Sequence, residues 1–135
     1  MKKIYFAAAI RGGRSDVDLY KELIDHMQEK HRVLTEHIGR KDYLETNKQT
    51  DVEIYTQDTN WILESDVLIA ECTVTSLGVG YELGFAEAHH KPIHVLYRPE
   101  VTHLSAMITG NSYNHVYPYS TKEEAFEIID HILND

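Results

Sequence analysis

Short apolar runs alternate with amphipathic stretches from one end of the chain to the other. Ile4–Ile10 is an unbroken apolar run, which predicts a strand covered on both faces. Asp16–Lys30 carries Val17, Tyr20, Leu23, Ile24 and Met27 at helical spacing, with Ser15 as a cap and Asp16 and Asp18 favouring the first turn. Arg32–His37 reads as a second strand, and residues 38–51 are polar and unpatterned, which predicts a loop. Val52–Ser65 is a second helix, Asp66–Glu71 a third strand, Val79–His90 a third helix closed by Pro92, and Ile93–Tyr97 a fourth strand. Leu104–Ile108 is a short turn or helix ended by Gly110, and His115–Tyr117 is a weak fifth strand. Ser120 and Glu123 have capping-box spacing before a last helix that turns Phe126, Ile129, Ile132 and Leu133 inward.

Five strands alternating with helices predict a single α/β domain. Its architecture is a doubly wound five-stranded parallel sheet of the flavodoxin/Rossmann-like kind. Such sheets bind ligands outside the carboxyl ends of their strands. That rule selects Ile10–Arg14, Glu71–Tyr81 and Arg98–Ile108.

Composition narrows the ligand. The chain has 135 residues, enough for one domain with a real core. Its 22 acidic residues against 13 Lys and Arg give a formal charge of −9, which opposes binding of a nucleic-acid polymer but not of a small anion held by local dipoles. A lone cysteine, Cys72, permits no internal disulfide. The opening apolar stretch is too short for a secretory signal and nothing approaches a membrane span, so a cytoplasmic setting is expected.

A few residues break the local pattern. Asp58 falls on the stripe of Ile54, Trp61 and Ile62, either at its solvated edge or pointing at the sheet, where a carboxylate needs a partner or a task. Glu82 stands in Gly78–Gly84, either as a helix-start charge or in a cleft. Gly80 and Gly84, one turn apart, leave a face bare enough for a backbone or ligand to approach. Thr73–Gly78 is a hydroxyl- and glycine-bearing turn into a helix, a weak anion-site signal; it is neither a P-loop nor a dinucleotide fingerprint. Ile10–Arg14 is a second wall, or a plain turn with solvated arginines. The nine histidines show no metal-ligand spacing, so no metal and no cofactor are expected. Cys72 and the serines lack a nucleophile's surroundings. Two carboxylates beside an anion site are working parts for cleaving a glycosidic bond.

These motifs occur together and in order: Tyr5-Phe6 with Ile10–Arg14, Thr35–His37, Gln57-Asp58 with Trp61, Ser65–Val67, Ala70-Glu71 with Thr73, Ser76–Gly84, and Leu104–Ile108 with Gly110. Over nearly the whole chain, 1–135, the sequence resembles the 2'-deoxynucleoside 5'-phosphate N-hydrolase branch of the nucleoside 2-deoxyribosyltransferase superfamily. The resemblance implies a retaining N-glycosidase acting on a deoxynucleoside monophosphate. Glu82 would be the nucleophile, kept ionised by the helix start. Asp58 would protonate the leaving base, and Tyr5 would position Glu82 or the sugar. Ser76 and Gly78 would contact the 5'-phosphate, and Ile10, Arg11 and Gly12 would wall the base and phosphate. His37 would lie near the base. Ser105, with Met107 in the same segment, would be lent to a neighbouring subunit, which implies a homodimer. Ala9 departs from the serine of the mammalian members. Alternatives are a deoxyribosyltransferase moving the sugar between bases and a nucleotide-binding domain without chemistry.

Overall fold

The computed structural model describes residues 1–10 and 16–134. Five strands form one sheet: β1 (Lys3–Ala8), β2 (Arg32–Val33), β3 (Val67–Glu71), β4 (Ile93–Tyr97) and β5 (His115–Pro118). Their order is β2-β1-β3-β4-β5 and every pairing is parallel. Tyr5 pairs with Leu68 and Ala8 with Glu71 in the register of β1 against β3. The α-helices among the described residues are α1 (Val17–Gln28), α2 (Tyr43–Thr46), α3 (Asp51–Glu64), α4 (Leu77–Ala88), α5 (Ala106–Thr109) and α6 (Lys122–Leu133).

The central strands are buried on both faces because helices cover both. On one side α1 and α6 place Tyr20, Leu23, Ile24, Met27, Ile129 and Leu133 against Ile4, Phe6 and Ile69. On the other, α3 and α4 bring Ile62, Val79, Leu83 and Ala86 against Tyr5, Ala7, Leu68 and Ala70. This is the doubly wound sheet that the alternating runs predict.

Several boundaries differ from the sequence reading. The first strand stops at Ala8, two residues before Ile10. The second covers only Arg32–Val33. Beyond it the Thr35 hydroxyl takes over the pairing, donating to the Phe6 carbonyl at 2.6 Å and accepting from the Phe6 N–H at 3.1 Å. The main chain is then free to turn into the 3-10 helix Glu36–Gly39, so His37 does not end a strand. The supposed loop 38–51 contains α2, with Tyr43 buried. Ser15 lies outside the described residues; Asp16 precedes α1 without a side-chain cap.

Three helix starts are set by side-chain caps that hydrophobic spacing underweights. Thr50 and Glu53 form a reciprocal capping box that opens α3. The box before α6 is Thr121 with Glu124, one residue later than Ser120 with Glu123. α4 begins at Leu77, capped by the Ser76 hydroxyl, which accepts from the Val79 N–H at 3.2 Å.

Candidate active site

The chain leaves β1 towards β2 on one side and returns to β3 on the other, so the connections after β1 and β3 diverge. A cleft of about 510 Å³ opens at that point, a volume suited to one small ligand. Ala8 and Ile10 contribute from the first connection and Thr75, Ser76, Leu77, Gly78 and Val79 from the second. Tyr43, Leu44 and Asn47 close one side, and Ile54, Asp58 and Glu82 complete the wall.

Asp58 therefore faces the cleft and not the solvated edge of its helix. Its neighbour Gln57 donates to Asp58 Oδ1 at 3.3 Å and accepts from Gln49 at 3.0 Å, so a short amide relay orients the carboxylate. Burial raises the Asp58 pKa above its ordinary value, with Gln57 opposing.

Glu82 sits a turn and a half inside α4, beyond the first turn where the helix dipole acts. The expectation that a helix start keeps it ionised is thus corrected. Burial dominates and pushes Glu82 up to about 7; the Tyr5 hydrogen bond lowers it, and the Asp58 charge raises it again. Tyr5, only 1% exposed on β1, reaches beneath the cleft and donates its hydroxyl to Glu82 Oε2. Burial, with Glu82 and Asp58 nearby, holds the Tyr5 phenol well above its usual range, so it remains a donor. Strand β1 and helices α3 and α4 thus converge three side chains that lie far apart in sequence.

At the opposite end of the cleft, Ser76 caps α4. The first-turn amides of Leu77 and Gly78 lack an intrahelical acceptor by geometry, and both residues line the cleft. A helix start of this kind favours negative charge.

Other predicted residues lie elsewhere. His37 is buried, its ring 4.5 Å from that of Tyr43 and 5.8 Å from that of Trp61, and it is not among the residues that line this cleft. Tyr43, which packs on the His37 ring, lines the cleft. Ser105 caps α5, accepting from the Met107 N–H at 3.1 Å, and both residues are exposed and outside this chain's cleft. Arg11 and Gly12 lie outside the described residues. A side chain at Gly80 or Gly84 would meet nothing within 4 Å, so none of the described residues makes the close approach expected there. Burial pushes the Cys72 thiol up to about 12, the behaviour of a core residue. Tyr43, Leu44 and Asn47 escaped the sequence reading, although Tyr43-Leu44 is the one bulky apolar pair in its polar stretch.

Residues 4–129 match the family profile described as Nucleoside 2-deoxyribosyltransferase. The chain belongs to this family. A 5-hydroxymethyl-dUMP N-hydrolase of Tetraodon nigroviridis is 46% identical over 112 residues, spanning 80% of this chain and 79% of the relative. A protein of the same name from Danio rerio is 40% identical over 135 residues, spanning 98% and 93%. Among solved structures, a Clostridium botulinum CMP N-glycosidase superposes with a TM-score of 0.73, covering 98% of this chain and all of that one at 22% identity. That last likeness confirms the fold of the family: an all-parallel five-stranded sheet with helices on both faces.

Proposed function

We propose that this chain, as one nucleoside 2-deoxyribosyltransferase-like domain, hydrolyses the N-glycosidic bond of 2'-deoxynucleoside 5'-monophosphates. The products are the free base and 2-deoxyribose 5-phosphate. The observation that carries the reading is the Tyr5–Glu82–Asp58 cluster at one end of a cleft whose other end is the capped start of α4. The names of the relatives, N-hydrolases of a pyrimidine deoxynucleotide, support the same reaction.

The ionised Glu82 attacks C1' of the sugar as the C1'–N bond breaks through an oxocarbenium-like state. Asp58 gives its proton to the departing base, and a glycosyl-Glu82 ester remains. Asp58 then takes a proton from water as the water oxygen attacks C1', releasing the sugar and restoring both acids. Tyr5 favours the ionised form of Glu82 by donating to it. The Ser76 hydroxyl and the Leu77 and Gly78 amides receive the 5'-phosphate, with Ile10 on the cleft wall; the family resemblance assigns Arg11 and Gly12 to base and phosphate as well.

The working form is a homodimer, with Ser105 and Met107 presented to the partner's cleft. Met107 is 82% exposed, as a residue that meets another chain would be. A lone cysteine and no disulfide suit the reducing cytoplasm.

The test is a panel of ribo- and deoxynucleotides, with and without 5'-phosphate, including 5-hydroxymethyl-dUMP and CMP, assayed for released base. Release from deoxynucleoside monophosphates, lost in Glu82→Gln, is expected. No release from any deoxynucleotide sinks the reading, and a new nucleoside formed on adding a second base converts it to a transferase.

A further inference from the structure

The two oxygens of Asp58 are held unequally. Oδ1 accepts from the Gln57 side-chain amide at 3.3 Å, whereas Oδ2 has no hydrogen-bond partner among the described residues. Neighbouring residues on a helix do not face each other, so something outside α3 must turn Gln57 towards Asp58. That is Gln49, whose Nε2 donates to Gln57 Oε1 at 3.0 Å from the segment before the helix. With its oxygen taken by Gln49, the Gln57 amide presents its NH2 group to Asp58. The reverse orientation would set two NH2 groups against each other and bring an amide oxygen onto a carboxylate.

Gln49 is itself anchored. Its main-chain N–H donates to Asn47 Oδ1 at 3.3 Å, and the Asn47 side chain donates to the Tyr43 hydroxyl at 3.0 Å. The next residue, Thr50, opens α3 with its capping box. Tyr43 and Asn47 line the cleft, so a hydrogen-bonded chain runs from the cleft wall at α2 to the acid on α3. Gln49, Gln57 and Asp58 are each half-buried, which limits the water that could replace these bonds. A carboxylic acid that accepts at one oxygen keeps its proton on the other. Oδ1, facing an N–H donor, is an acceptor in both the neutral and the ionised acid, so a proton can enter and leave at Oδ2 without rearranging the relay.

We infer that Gln57 and Gln49 are positioning residues for the proton step: they hold Asp58 Oδ1 throughout the cycle and make Oδ2 the atom that protonates the base and then takes a proton from water. The proton leaves Oδ2 as the C1'–N bond breaks and returns from water as the water oxygen bonds C1'. Neither glutamine lines the cleft. The inference deepens the proposed function and rests on it for the identity of the reaction. Donation from Gln57 also favours the ionised acid, the direction in which it moves the Asp58 pKa against the effect of burial.

The experiment measures kcat and KM for 5-hydroxymethyl-dUMP in wild type, Gln57→Leu, Gln49→Ala, Asp58→Asn and the double variant of Asp58→Asn with Gln57→Leu. Each is checked for folding by thermal unfolding, and the Asp58 carboxyl is titrated by carbon NMR. A positioned general acid contributes about 10²–10⁴-fold, and loosening it forfeits part of this. Gln57→Leu is therefore expected to lower kcat about tenfold, with KM within about twofold. Gln49→Ala lets water take the Gln57 oxygen and is expected to lower kcat about threefold. Because the relay acts through Asp58, Gln57→Leu is expected to change the rate of Asp58→Asn by less than about twofold. The Asp58 titration is expected to lie higher in Gln57→Leu than in wild type. A double variant whose loss is the product of the two single losses, a change confined to KM, or an Asp58 titration unmoved by Gln57→Leu overturns the relay. If Gln57→Leu does not fold, Gln49→Ala decides, and wild-type kcat in that variant overturns the relay. A protein that releases no base but whose Asp58 titration still follows Gln57 keeps the relay and loses the hydrolase reading.

Discussion

At Glu82 two demands conflict. The nucleophile proposed here must be ionised, yet burial lifts this carboxyl to about 7. With Asp58 raised as well, the active form of the pair carries one proton, and its limbs belong to the pair. Hence kcat/KM is expected to fall as pH rises through about 7, where that proton is lost and nothing protonates the base. In Asp58→Asn only Glu82 titrates, so the residual rate is expected to rise with pH and then level off. A pH–rate profile for both proteins checks this reversal of sign. Tyr5 tilts the shared proton towards Asp58, so Tyr5→Phe is expected to move the alkaline limb to higher pH and lower kcat about tenfold. The same burial has a stability consequence. An unfolded Glu82 titrates near 4.5 and the folded one at about 7. Between those values the unfolded chain releases a proton that the fold keeps, so native stability falls as pH rises across that window and stays lower above it. Glu82→Gln is therefore expected to stabilise the protein by about 1–3 kcal/mol at pH 8 and little at pH 4, read from urea unfolding.

At the scale of elements, the two helices that carry the acids depend on their caps. Thr50→Ala removes the capping box of α3 and is expected to cost about 1 kcal/mol in urea unfolding, with KM unchanged. Ser76→Ala is expected to cost a similar amount and also raise KM for phosphorylated substrates, because its hydroxyl lines the cleft where the phosphate is proposed to bind. The elements were legible where hydrophobic runs were long, as in β4 and α6. They were misread where side chains substitute for backbone, as at Thr35, or where a single turn is held by one buried ring, as at Tyr43 in α2.

For the whole molecule, the outer face of α4 poses the question of assembly. Leu77 is 94% and Tyr81 56% exposed on a helix that is apolar nearly all round, and Tyr81 lies 6.2 Å from the ring of Tyr55 on α3. Such a helix calls for cover, and a second copy of this chain is the proposed one. Tyr81→Lys is expected to shift the sedimentation coefficient from dimer to monomer. If Ser105 serves the partner's cleft, mixing Glu82→Gln with Ser105→Ala subunits recreates one intact site, and activity is expected to return on mixing.

The sequence by itself determined the alternation of strand and helix, the parallel sheet it requires, and the two acids out of place on their helices. Those features are local: a repeat of apolar positions or a misplaced charge is read within a few residues. Only the tertiary structure decided that Asp58, Glu82 and Tyr5 meet, that Glu82 is lifted by burial and not held ionised by its helix, and that His37 packs on Tyr43. The reason is that desolvation and hydrogen bonding between distant elements depend on which surfaces come together, and no window along the chain contains both partners.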